Sequence, residues 1–166
     1  NTVDPDGLEE FSVVFTDRSL NHMSAAFQGV MRDISAMLKK VYNAEAVAVV
    51  PGGGTFGMEA VARQFARGVE VLVVRNGWFS YRWSQIIENG DLTGKATVLK
   101  AGMQGNSTPA PFAPCPIDEV VEAIRVQKPK VVFAPHVETS AGVILPDDYV
   151  KQMAEAAHEV GALMVL

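Results

Sequence analysis

The chain has a single cysteine, Cys115, in 166 residues. That excludes an internal disulfide framework and fits a reducing, cytoplasmic compartment. Positive charge is also scarce: the formal net charge is −5, which argues against a nucleic-acid surface, since that needs a basic face. No apolar run approaches the roughly 20 residues that cross a bilayer, so no membrane span is expected. The start has no signal-peptide pattern, and it is Asn1 rather than Met. The other end, Ala162 to Leu166, has the composition of a buried strand and no turn after it. These features lead to the expectation of a larger protein continuing beyond Leu166. What is present is an ordinary globular composition, 48% hydrophobic and 20% charged, with enough length for one domain with a core.

One stretch organises the rest. Ala46 to Val50 is an apolar run that predicts a strand, Pro51-Gly52-Gly53-Gly54 a tight turn, and Thr55 onward a helix. Consecutive glycines let backbone N–H groups point outward, and the helix start adds free N–H groups and a partial positive charge. The result is a cradle for an anionic group such as phosphate.

Around it the periodicity is regular. Residues 1 to about 20 carry little signal, and His22 alone reads as a loop histidine. Ser24 to Val41 predicts an amphipathic helix capped by Ser24, with its methionines turned to the core. Further strands are predicted at 69–74, 96–99, 131–134 and 162–166, with helices at 55–67, 78–88 and 117–127 and another opened by Pro146. Gly102 to Pro116 reads as a surface loop, and Cys115 within it as a loop cysteine with nothing basic beside it. Alternating strands and helices predict an α/β fold, a parallel, doubly wound sheet of about five strands with helices on both faces. Ligands of such sheets lie beyond the carboxyl ends of the strands, here Pro51–Thr55, Asn76–Phe79, Ala101–Met103 and Pro135–Ser140.

The glycine loop admits several occupants. Gly52, Gly54 and Gly57 match a dinucleotide fingerprint, but Arg75-Asn76 stands where a ribose-binding acid is wanted. Arg75 would suit a 2′-phosphate, which leaves an NADP-binding or other noncatalytic nucleotide domain as one reading. No Gly-Lys-Ser/Thr follows, so the Walker pattern fails. A pyridoxal phosphate site uses more of the rim. It needs a phosphate cradle, an aromatic ring to stack on the pyridine, and a hydroxyl near the ring oxygen. Gly53-Gly54-Thr55, Trp78 or Phe79, and Thr139 or Ser140 supply these.

Four stretches carry a resemblance. They are Asn21-His22-Met23-Ser24 through Phe27, Pro51 to Thr55 with Met58-Glu59-Ala60, Asn76 to Arg82, and His136-Val137-Glu138-Thr139-Ser140-Ala141-Gly142-Val143. In order and spacing they resemble the front of the class V aminotransferases, which are fold-type-I pyridoxal-phosphate enzymes, and most of all the alanine–glyoxylate and serine–pyruvate aminotransferases. The resemblance divides the chain into an N-terminal arm, 1–22, and part of a cofactor-binding large domain, 23–166. It implies that Gly53, Gly54 and Thr55 contact the cofactor phosphate, that Phe79 stacks on the ring, and that Thr139 hydrogen-bonds the cofactor. Phe79 stands where Trp is common in the nearest relatives, and Ser80 replaces a glycine of the pattern.

The resemblance also implies the activity. An amino group would move between a small amino acid, alanine or serine, and a small 2-oxo acid, glyoxylate or pyruvate, in a homodimer with Asn21-His22 near the interface. Other class V reactions, those of a lyase or a phosphonate aminotransferase, are the alternatives. No metal is expected. The catalytic residues are expected after Leu166: an aspartate under the pyridine nitrogen at or near the next position, and the Schiff-base lysine further on. None of the chain's own lysines sits in a matching motif, so the chain alone is expected to be inactive.

Overall fold

Val71 to Val74 and Val131 to Phe133 are apolar at every position, and each residue is fully buried. Alternate side chains of a strand point to opposite faces, so such runs belong inside a sheet covered on both sides. The computed structural model describes residues 22–106 and 110–166 and bears this out. Its elements are α1 (Ala25–Tyr42), α2 (Gly54–Phe65), β1 (Val71–Arg75), α3 (Trp78–Asn89), β2 (Ala96–Lys100), β3 (Gly102–Met103) and β4 (Phe112–Ala113). They continue with α4 (Ile117–Gln127), β5 (Val131–Phe133), β6 (Val137–Glu138), β7 (Val143–Ile144), α5 (Asp147–Glu159) and β8 (Leu163–Val165).

The main sheet has four strands in the order β2-β1-β5-β8, every pair parallel. On one face Leu72, Val74 and Val132 pack with Val120 and Ile124 of α4 and Met153 of α5. On the other, Val71, Val73 and Phe133 pack with Ala62 of α2 and Trp83 and Ile87 of α3. The two cores are the two faces of a doubly wound sheet.

The chain divides into two units, Asn1–Val50 and Pro51–Leu166. Within the first, Ser24 caps α1 as its position predicted: its hydroxyl accepts from the Phe27 N–H at 3.1 Å. Lys39 and Lys40 sit in the last turn, where they complement the negative helix end. The expected burial of this helix's apolar face is not seen. No residue of α1 is buried, and Met37 and Val41 are exposed. An apolar stripe on a helix is buried only where another element packs on it.

Two other expectations are corrected. Residues 46–50 form no strand, and Val49 and Val50 are exposed. A strand exists only through its ladder, and the apolar run has no pairing partner among the described residues. The stretch from Gly102 is not plain loop, because β3 and β4 pair antiparallel. Cys115 in turn is buried, 6% exposed, rather than on the surface. The ring of Phe133 lies 4.5 Å from that of Trp83, centroid to centroid, and the side chain is fully buried. Phe133→Ala is expected to cost about 3–5 kcal/mol in urea unfolding. Val126→Ala, at a site 68% exposed, is expected to change stability by less than about 0.5 kcal/mol.

Candidate functional site

β1 ends at Arg75, and Asn76-Gly77 leads directly into α3. The first N–H groups of any helix lack partners inside it. A side chain at the N-cap usually satisfies one of them, but the N-cap of α3 is Gly77, which has none. The partners come instead from the β6–β7 hairpin, about 60 residues later. Glu138 is fully buried. Its Oε1 accepts from the Phe79 N–H at 3.0 Å and its Oε2 from the Ser80 N–H at 2.8 Å. The Ser80 hydroxyl donates to Oε2 at 2.6 Å and the Ser140 hydroxyl to Oε1 at 2.5 Å. Ser140 Oγ also accepts from the Trp78 N–H at 2.8 Å.

This network gives Ser80 its place. Its Oγ accepts from the N–H groups of Asn76 at 2.8 Å and Gly77 at 3.1 Å, so the hydroxyl fastens the turn that a glycine would leave to the backbone. Burial works against the charged form of Glu138. Hydrogen bonds from Ser140, Ser80 and Phe79 outweigh it and hold the carboxyl below its ordinary range. The ionised group therefore stabilises the fold above the ordinary carboxylate range, and that contribution is lost as pH falls through the lower folded-state value.

The glycine loop opens α2. Gly52 has φ of +126°, a conformation side chains resist, and a Cβ there would lie 2.4 Å from the Phe56 ring. Gly53 is the N-cap, so the N–H groups of Gly54 and Thr55 are left without helical partners. A Cβ at Gly53 or Gly54 would meet nothing within 4 Å, so the loop stands open. Arg82 of α3 reaches it. Its Nη1 donates to Thr55 Oγ1 at 2.6 Å, while its guanidinium lies 5.1 Å from the centre of the Phe79 ring. A cleft of about 300 Å³ has Thr55 and Arg82 in its lining.

The five residues singled out from sequence thus belong to three segments joined by hydrogen bonds. Gly53, Gly54 and Thr55 start α2, Phe79 starts α3, and Thr139 follows Glu138 in the hairpin. All five are exposed and so open to a ligand. Asn21 lies outside the described residues, and His22 is exposed. Arg75, considered for a 2′-phosphate, has its guanidinium 5.0 Å from the centre of the Tyr81 ring and Nη1 3.4 Å from Ser84 Oγ.

The family described as Aminotransferase class-V matches residues 10–166. The chain belongs to the class V aminotransferases. It is 29% identical over 150 residues to an L-aspartate–glyoxylate aminotransferase of Paracoccus denitrificans, covering 89% of this chain and 36% of that protein. It is 28% identical over 151 residues to a serine–glyoxylate aminotransferase of Methylorubrum extorquens, with the same coverage. Among solved structures, ureidoglycine–glyoxylate aminotransferase from Bacillus subtilis superposes with a TM-score of 0.70 at 26% identity, over 87% of this chain and 35% of that one. The chain therefore spans about a third of the length of the relatives it matches.

For a class V aminotransferase the donor set fits pyridoxal phosphate. Two free helix N–H groups, the Thr55 hydroxyl and the Arg82 guanidinium suit a phosphate dianion, and Phe79 offers an exposed ring beside them. Sequence reasoning missed the roles of Glu138 and Arg82, though both stood in quoted motifs. For Arg82 the signal was available: Phe79 and Arg82 are three apart on a helix and share a face. All seven lysines are exposed. Cys115 is shielded, and burial together with Glu119 pushes its thiol pKa up, which disfavours a nucleophilic role.

A Cβ at Gly77 would lie 2.6 Å from Ser140 Oγ and 2.8 Å from Glu138 Cγ. Its φ of 176° is extended backbone open to any residue, so the conflict is purely one of space. Gly77→Ala is expected to destabilise the protein by about 1–3 kcal/mol, read as a lowered melting temperature.

Proposed function

We propose that the whole protein is a pyridoxal-phosphate-dependent aminotransferase. It moves an amino group from a small amino acid, alanine or serine, to a small 2-oxo acid, glyoxylate or pyruvate. The observation that carries this reading is Arg82, which joins the anion cradle at Thr55 to the aromatic face of Phe79. Cradle and ring platform are then neighbours, as one ligand with a phosphate arm and a flat ring requires. Glyoxylate recurs in the names of all three relatives while the amino donor differs among them. This recurrence supports glyoxylate as the amino acceptor.

In this reading the N–H groups of Gly54 and Thr55, the Thr55 hydroxyl and Arg82 bind the phosphate, and Gly53 leaves room for it. Phe79 stacks on the ring and Thr139 hydrogen-bonds it. When bound, the cofactor supplies a reactive carbonyl and a conjugated ring that draws electron density from the substrate Cα. The chain's own contribution is positioning: an anchored phosphate and a stacked ring fix which substrate bond stands perpendicular to the ring plane. A lysine and an aspartate from the rest of the protein complete the site. The protein works as a homodimer in the cytoplasm. The exposed apolar residues of α1, Val30, Met37 and Val41, supply surface for contacts with the rest of the assembly. No described helix is long and apolar enough to cross a membrane.

The full-length protein is expected to bind pyridoxal phosphate with a visible absorption band that borohydride bleaches by trapping a lysine adduct. A colourless protein that binds NADP instead would refute the reading. Gly54→Asp is expected to weaken cofactor binding by about ten- to a hundredfold. The melting temperature should hold, since a side chain at this position meets nothing within 4 Å. Unchanged affinity would mean that the loop holds something else.

A further inference from the structure

We propose that Glu138 is a positioning residue for the ring platform: through the N–H groups of Phe79 and Ser80 it sets the orientation of the Phe79 ring and, through the chain, of Thr139. This rests on the cofactor reading above. A buried carboxylate is costly unless its oxygens are satisfied, and a cap at the head of a helix needs no such residue. Ser, Thr, Asn or Asp at position 77 would do it locally. Here a glycine occupies that position, and it must, because Glu138 and Ser140 fill the space a Cβ would take. The arrangement replaces a cheap local cap with an expensive tertiary one.

What the tertiary cap adds is a fixed relation between two segments. Oε1 holds the N–H of the residue that bears the ring. Oε2 holds Ser80 by backbone and hydroxyl together. Ser140, two residues further along the hairpin, holds Trp78. Three successive residues of α3 are thus bound by the hairpin segment that carries Thr139. The backbone of Phe79 and the hairpin backbone that carries Thr139 cannot shift relative to each other without breaking several of these bonds. No cation shares the carboxylate: none of the salt bridges among the described residues involves Glu138. Its charge is matched by donors of the site alone. The anion cradle is made by the start of α2 and the Arg82 guanidinium, reached from further along α3, and no hydrogen bond of Glu138 goes to it.

That separation gives the test. In the full-length protein, Glu138→Gln keeps the shape but turns an NH₂ toward a backbone N–H. Its dissociation constant for pyridoxal phosphate, from titration of the visible band, is expected to rise about ten- to a hundredfold. The induced circular dichroism per bound cofactor is expected to fall. Affinity for inorganic phosphate, measured by calorimetry, is expected to stay within about twofold, because the cradle is intact. Ser140→Ala, which frees only the Trp78 N–H and one carboxylate contact, is expected to give a smaller change of the same kind. Unchanged cofactor affinity and dichroism in Glu138→Gln would overturn the proposal. So would a parallel loss of phosphate and cofactor binding, which marks a purely structural role. If the wild-type protein binds phosphate but no pyridoxal phosphate, the cofactor reading fails, and this proposal falls with it.

Discussion

The turn at the head of α3 depends on one carboxylate held inside the protein. Among the described residues Glu138 has no counter-ion, and its charge is met by two backbone N–H groups and two hydroxyls that converge on it at the positive end of α3. Several sequence features follow from that single requirement. Gly77 leaves space, Ser80 and Ser140 supply hydroxyls, and the hairpin of β6 and β7 presents the side chain. Remove the carboxylate and each of these residues loses its reason.

The sheet serves this arrangement by bringing distant segments to one edge. β1 and β5 are adjacent and parallel, so the turn after β1 and the hairpin after β5 emerge side by side. A register with Val71 opposite Val131 sets how far each strand carries its loop. The two apolar cores hold the strands in that register, because a slip of one residue would exchange the faces of both. The fold thus converts a separation of some 60 residues into hydrogen-bonding distance.

Much of this was legible from the residues. The strands predicted at 69–74 and 131–134 became the parallel β1 and β5, and their carboxyl ends placed the polar clusters after them on one rim. Ser24 and the lysine pair marked the two ends of α1. The rest was hidden for physical reasons. Composition cannot tell a strand from an apolar run that finds no ladder partner among the described residues, as at 46–50. Two-residue ladders such as β3–β4 have no period to detect. Cys115 sits among prolines, which signal loop, yet Val120 and Leu145 belong to the core cluster that takes it in. Glu138 was invisible as a cap because caps are read from the residue just before a helix, and this one comes from far along the chain.

That distance has a kinetic side. A helix capped by its own neighbour can close its first turn as soon as it forms. The first turn of α3 must wait until β5 has docked and the hairpin has folded, a contact with a large loop to close. Until then its leading N–H groups are bound only by water, and the aromatic residues there are free to turn. The cap of α3 therefore forms no earlier than the β1–β5 pairing that brings the hairpin to it. Once formed, the turn is tied to a second segment as well as to its own helix, so opening it means breaking the contacts between α3 and the hairpin that follows β5.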